Sequence, residues 1–318
     1  MSASLKKREN TPAADGRRPH LDARAVVLLL GCCAVWGLGQ VAAKLTLAEI
    51  PPLLQAALRS AGAALLLLAW CRWRGPSFWH SVMQRDGSAR GGWLAGALFA
   101  AEFACIFIGL QYTSASRMVV FIYIAPFVVA LGMPFIARSE KLSSWQLLGL
   151  VAAFAGVVWA FYEGFMRPTA GPMQWLGDAL GLAAAVLWGL TTLVLRGSRL
   201  GQVVPEKALL WQLGVSALAL AAASVAAGEA WPQRLTGASL WPLAFQTVVV
   251  TFASYLVWFW LVRHYPATRV AAFTLLTPVF GLLAGVWLLG EPLTARLMLA
   301  LVAVCAGIAL VNLAPRRA

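Results

Sequence analysis

The chain has 318 residues, of which 61% are hydrophobic and 12% charged. A soluble domain carries about 25% charged residues, so this chain lacks the polar surface needed to fold in water. Its net charge of +13 does not point to nucleic acid, because the basic residues sit at the ends of apolar runs rather than along one face.

Residues 1–24 are basic, contain Pro and Gly, and read as a disordered cytoplasmic tail. The first apolar run, 25–45, exceeds the roughly 7–15 residues of a signal-peptide core and reads as a retained helix. About 20 apolar residues span a bilayer core. Nine more runs approach or exceed that length: 51–70, 91–112, 115–137, 144–163, 175–196, 206–227, 241–263, 266–290 and 294–314. Lipid offers the backbone no hydrogen bonds, so runs this long must be helices. The expected fold is an all-α membrane protein with ten transmembrane helices. The loops are short, and none could hold a soluble domain. Cys32, Cys33, Cys71, Cys105 and Cys305 lie in or beside apolar runs without metal-ligand spacing and read as small packing residues. His20, His80 and His264 form no motif. No metal or cofactor is expected.

Lysine and arginine set the orientation. With the N-terminus inside, 19 of them fall on cytoplasmic segments and five on outer ends, which places both termini in the cytoplasm. The expected location is the cell inner membrane.

The two halves repeat at an offset near 152. Trp36-Gly37-Leu38 matches Trp188-Gly189-Leu190, Lys44 matches Arg196, and Pro52 matches Pro205 after a one-residue slip. Ser114-Ala115-Ser116-Arg117 matches Pro266-Ala267-Thr268-Arg269, Pro126 matches Pro278, and Glu140 matches Glu291. Five helices per half is an odd number, so the second half enters the membrane upside down. Two inverted five-helix repeats, 25–163 and 175–314, are an architecture of secondary transporters, with the site near the midplane between them.

Trp36-Gly37, the stretch Gly109–Arg117 running to Pro126, and Glu140-Lys141-Leu142 resemble the EamA repeat of the drug/metabolite transporter superfamily. Its second copy is Tyr265–Arg269, Pro278 and Gly290–Thr294. The resemblance implies a ten-helix transporter, often an exporter of amino acids or related metabolites.

Charges within hydrocarbon are costly and mark function. Arg59 and Glu102 lie at a common depth and could pair. One reading makes Glu102 a proton site and Arg59 its partner or an anchor for a substrate carboxylate, which the guanidinium fork suits. The other makes them a structural ion pair. Trp36, Gln40 and Lys44 share a helix face, as do Trp188, Thr192 and Arg196. Both stripes are expected to face a central cavity, with Lys44 and Arg196 reaching for headgroups. Thr247, Thr251, Ser254, Tyr255 and Trp258 form a third stripe. Gln212 and Ser254 are the repeat counterparts of Arg59 and Glu102, and Tyr123 completes the candidate lining. For the hydroxyls, bonding back to their own helix is the alternative. Pro126 and Pro278 are expected to kink helices and to act as hinges. Glu140 and Glu291 are expected to cap the helices that follow them. Trp93, Trp145, Trp175, Trp231 and Trp241 read as interfacial anchors.

The expected function is secondary transport of small amphipathic metabolites by alternating access, with protons as a candidate coupling ion. The expected partners are a small-molecule substrate and membrane lipid, with no nucleic acid. A carrier of nucleotide-sugar or lipid-linked sugar would call for more buried cations. A membrane enzyme finds no metal cluster or nucleophile motif, and no phosphate-binding loop offers ATP coupling.

Overall fold

A computed structural model of the chain describes residues 22–136, 144–265 and 273–313, and every regular element among them is helical. The helices are α1 (Ala23–Thr46), α2 (Pro52–Trp73), α3 (Pro76–Met83), α4 (Ala89–Tyr112), α5 (Ala115–Ile122), α6 (Ala125–Ile136) and α7 (Ser144–Met166). They continue with α8 (Gln174–Gly197), α9 (Pro205–Ala226), α10 (Gly237–Ala244), α11 (Ser254–His264), α12 (Thr277–Leu289) and α13 (Ala295–Leu313). A π-helical stretch, Phe245–Ala253, joins α10 to α11, and a 3-10 turn, Thr274–Leu276, leads into α12. Among the described residues, seven spans are long and apolar enough to cross a membrane, and Thr277–Leu289 and Ala295–Gly307 are shorter apolar helices. The chain is a multi-pass membrane protein. The tail to residue 21, the Glu140 and Lys141 segment and the Pro266–Arg269 copy of the repeat lie outside the described residues.

Local chemistry explains many of the boundaries. Asp22 caps α1 by accepting from the Ala25 amide at 2.8 Å. Pro52 and Pro205 begin α2 and α9, where a missing N–H costs nothing. Gly75, at φ 106°, turns the chain from α2 into the short α3.

The expectation of prolines inside continuous helices is corrected. The run from 115 is interrupted at Tyr123 and Ile124, and Pro126 stands in the first turn of the new segment, α6. Pro278 stands likewise in the first turn of α12. A tertiary amide cannot donate, so both prolines sit where a helix starts afresh.

Small residues let the helices approach. A Cβ on Gly37 would lie 2.5 Å from the Gly281 nitrogen, so α1 rests on the backbone of α12. A Cβ on Gly189 would lie 2.6 Å from Val128 and 3.3 Å from the Ala125 carbonyl oxygen, so α8 rests on α6. Gly37 and Gly189 are repeat counterparts, and the same close contact is therefore made twice. Gly156 brings α7 onto Ala300 and Ala303 of α13 in the same manner.

Polar ties fasten the ends. The Glu229 carboxylate accepts from the free Leu53 and Leu54 amides of α2, at 3.0 and 2.8 Å. Glu49 accepts from the Thr236 amide and from the Thr236 and Ser239 hydroxyls at the start of α10. Lys207 donates to Asp86 and to the Gln84 carbonyl, both at 2.6 Å.

A methyl added at Gly37 has no space, whereas none of the chain crowds Gly214. Gly37→Ala should lower the thermal midpoint in detergent, by the equivalent of about 1–3 kcal/mol for overpacking. Gly214→Ala should leave it equal or raise it. Equal midpoints for Gly37→Ala and wild type would contradict the contact.

Partial burial opposes ionisation at Asp86, but hydrogen bonds from Lys207 and Ser88 and the lysine charge outweigh it and hold the carboxyl at about 2. A depressed carboxylate stabilises fully above its ordinary range near 4 and loses that contribution as pH falls towards 2. Wild type should therefore lose more stability over this acid window than Asp86→Asn, read from melting curves across pH. Parallel curves would refute the tie.

Candidate functional site

The polar residues of the sequence stripes come together in two groups. In the first, Trp36 on α1 donates its indole N–H to the Ser254 hydroxyl at 2.7 Å. The Trp36 ring meets Trp258 edge-on at 5.2 Å and lies 6.3 Å from Tyr255. In the second, Tyr123 and Trp188 meet edge-on at 5.7 Å. Tyr123 stands at the break between α5 and α6, so an interrupted helix presents a ring to the neighbouring span. The π-helical stretch precedes Ser254 directly. Such wide turns concentrate at functional sites because they re-aim side chains.

Arg59 on α2 and Glu102 on α4 are both buried, 5% and 4% exposed. They are within electrostatic reach of each other and of Tyr255. They do not form an ion pair, since no nitrogen–oxygen separation between them falls within 4.0 Å. The guanidinium lies instead 3.7 Å over the Phe103 ring and 5.5 Å from that of Phe107. Arg59 Nε and Nη2, Glu102 Oε2 and Gln40 Oε1 are buried without a hydrogen-bond partner. Nε and Nη2 form one edge of the guanidinium fork, the edge that grips a carboxylate bidentately. Buried charged atoms left without partners are costly, and native proteins keep few of them.

Other candidates bond locally. The Thr192 hydroxyl donates to the Trp188 carbonyl, Thr247 to Leu243, and the Gln212 amide to Ala208, each on its own helix. Thr251 Oγ1 is buried without a partner. Lys44 does not reach for headgroups. Its ammonium donates to the Leu110 carbonyl at 2.9 Å and to that of Thr113, closing the end of α4. Arg196 is exposed. Glu291 does not cap the helix that follows it. It accepts from the Ala115 and Ser116 amides at 2.7 and 2.9 Å and from the Ser116 hydroxyl, capping α5 in the other half. Trp93, Trp175, Trp231 and Trp241 are exposed, as anchors must be. A cleft of about 540 Å³ lies elsewhere, lined by Leu47–Leu53, Ile108, Gln111, Ala227 and Glu229. None of the site candidates lines it.

Sequence reasoning missed Asp178. It treated Glu102 as the only deep carboxylate, yet Asp178 is fully buried. It accepts from Arg117 Nη2 at 2.6 Å, from Arg117 Nε at 3.1 Å and from the Thr113 hydroxyl at 2.6 Å. The signal was an acid inside the run 175–196, level with Arg117 one helix away.

Comparison with known proteins agrees with this architecture. The model of the EamA-like transporter family matches twice, at residues 23–162 and 175–313. The chain belongs to that family. It is a transporter of small molecules rather than an enzyme. An uncharacterized protein of Pseudomonas aeruginosa is 32% identical over 72% of this chain and 75% of its own. An uncharacterized transporter of Bacillus subtilis is 27% identical over 91% of this chain and 92% of its own. A Salmonella typhimurium protein named a probable amino-acid metabolite efflux pump is 28% identical over 88% and 92%. One solved crystal structure shares the fold, with a TM-score of 0.64 at 20% identity over 92% of this chain and 99% of that one.

Proposed function

We propose that this chain is a secondary transporter of the inner membrane that exports small amphipathic metabolites of the amino-acid type. It has ten transmembrane helices in two inverted five-helix repeats, 25–163 and 175–314, and both termini lie in the cytoplasm. The two halves exchange conformations, and the site opens to one side and then to the other. The paired contacts of Gly37 and Gly189 support the repeat, and the 19-to-5 charge distribution supports the orientation.

The observation that carries the cargo reading is the unpartnered pair at the centre. The Arg59 edge offers two donors, and Glu102 Oε2 and Gln40 Oε1 offer acceptors. A molecule with both a carboxylate and an ammonium group meets both needs. Trp36, Phe103 and Tyr255 supply apolar surface for its remainder. A relative named for amino-acid metabolite efflux fits the same cargo. When substrate leaves, Glu102 takes a proton in its place, which couples export to the proton gradient. Sugar-nucleotide cargo is disfavoured because Arg117 and Lys207, the other buried cations among the described residues, already hold carboxylates.

Cysteines placed in the 71–90 loop should react only with reagents that enter the cytoplasm, and those after α1 and α7 only from outside. Outside labelling of the 71–90 loop would overturn the inverted arrangement.

An untargeted comparison of exported metabolites in deletion and overexpression strains identifies the cargo for proteoliposome assays. Glu102→Gln keeps shape but fixes a neutral state, so transport driven by a pH gradient should collapse while substrate exchange survives. Stability should change little, because no hydrogen bond to Arg59 is lost. Arg59→Lys loses the fork and should weaken binding by about tenfold or more. Unchanged pH-driven transport in a well-folded Glu102→Gln protein would remove proton coupling from this residue.

A further inference from the structure

Exposed arginines collect at the end of the bundle where α2 stops and α4 starts. Arg72 and Arg74 close α2, Arg85 and Arg90 lead into α4, and Arg196 and Arg199 stand at the end of α8. Among the described residues none of these forms an ion pair. The acids described at this end do not balance them. Asp86 belongs to Lys207, and Asp22 takes the Ala25 amide and the Tyr265 hydroxyl. Glu206, at the start of α9, is the one that remains. Arg24, a further cation of this end, lies over the Trp260 ring at 5.3 Å.

A charge that serves only to orient a chain in the membrane needs no fixed place, whereas Arg74 and Arg199 are seated. Arg74 lies 4.9 Å over the Phe78 ring of α3 and 5.9 Å from that of Trp70. The Arg199 guanidinium lies against Gly87, where a Cβ would meet its Nη1 at 2.7 Å. A Cβ on Gly91, beside Arg90, would meet the Ser198 hydroxyl, beside Arg199, at 2.6 Å, so these two arginines leave neighbouring stretches of backbone. Lys207 pins the same loop through Asp86 and the Gln84 carbonyl. The short helix α3 is amphipathic: Val82 is buried, Phe78 and Trp79 pack on the core, and Ser77 and His80 are exposed. Trp73 and Trp93, 75% and 55% exposed, stand within a turn of Arg72 and Arg90. Exposed indoles settle at the level of the lipid headgroups, which puts the guanidiniums beside them at the level of lipid phosphates.

We infer that this surface is a binding site for an anionic phospholipid, with Arg85, Arg90 and Arg199 holding the headgroup phosphate. Guanidinium groups bond phosphate oxygens in pairs, and unpaired arginines are free to do so. Basic clusters directly beside membrane spans attract anionic lipid for this reason. The exposed indoles decide between lipid and a dissolved polyanion, because only a lipid has glycerol and acyl carbons to lie against Trp73 and Trp93. Arg85 and Arg90 come from the first half of the chain and Arg199 from the second. One headgroup therefore bridges the two halves where Lys207 and Asp86 already join them. The site depends on neither the cargo nor the orientation proposed above.

Native mass spectrometry of the full-length protein in detergent tests it, with phosphatidylglycerol and phosphatidylcholine of the same acyl chains as probes. Phosphatidylglycerol should stay bound at a concentration about tenfold lower, and more ammonium acetate should narrow the gap. Arg85→Gln, Arg90→Gln and Arg199→Gln should each weaken phosphatidylglycerol by about fivefold and leave phosphatidylcholine unchanged. Arg90→Gln carries the test if Arg199→Gln, which vacates the seat on Gly87, does not fold. Arg167→Gln and Arg234→Gln, exposed at the opposite end of the bundle, should change neither lipid. Equal affinity for the two lipids overturns the site, and so do equal losses in the opposite-end variants. Displacement of the lipid by equimolar inorganic phosphate or by an acidic polypeptide also overturns it, because the surface would then serve dissolved anions. Each of these results leaves the carrier reading intact.

Discussion

In hydrocarbon, each backbone group that its own helix leaves unpaired must be met by another part of the chain. Helix starts and breaks are where this constraint bites, and the protein meets it across its two halves. Glu291 of the second half satisfies the free amides of α5, and Glu229 satisfies those of α2. Glu49 of the first half serves the start of α10. Within the first half, Lys44 takes the carbonyls left at the end of α4. The carboxylates that the sequence places at helix ends are therefore bonds between repeats. They fix which helices are neighbours as well as closing ends, and a bare helix N-terminus with its partial positive charge favours them.

The centre departs from that rule. At the ends of the bundle most buried charged groups have partners, while Arg59 and Glu102 remain apart with free atoms. The Arg59 guanidinium lies over the Phe103 ring, 3.7 Å from its centroid, and not against the carboxylate. A closed ion pair would satisfy both groups and leave nothing for a ligand. On the function proposed above, separation keeps two opposite charges ready for a substrate at some cost in stability.

The Trp36 and Trp188 faces show how far the stripe argument reached. Each tryptophan meets an aromatic partner from another helix, Trp258 for one and Tyr123 for the other. The neighbouring hydroxyls of Thr192 and Thr247 satisfy themselves on their own helices. A shared face is a property of helical spacing and is readable in the chain. Whether a hydroxyl turns to a neighbour or back to its own carbonyl depends on a rotamer choice that spacing does not fix.

The sequence by itself determined the membrane class, the apolar runs and the repeat. These follow from hydropathy, length and rise per residue, which are local quantities. Only the tertiary structure decided that Arg59 and Glu102 stand apart, that Lys44 turns inward, and that Pro126 and Pro278 begin helical segments. It alone showed Asp178 locked to Arg117 and Glu291 capping a helix 176 residues away in the chain. The physical reason is that a buried charge takes its partner from whatever helix packing brings beside it. For Arg117 with Asp178 and for Glu291 with α5 that neighbour comes from the opposite half, and no pattern along one strand of sequence names it.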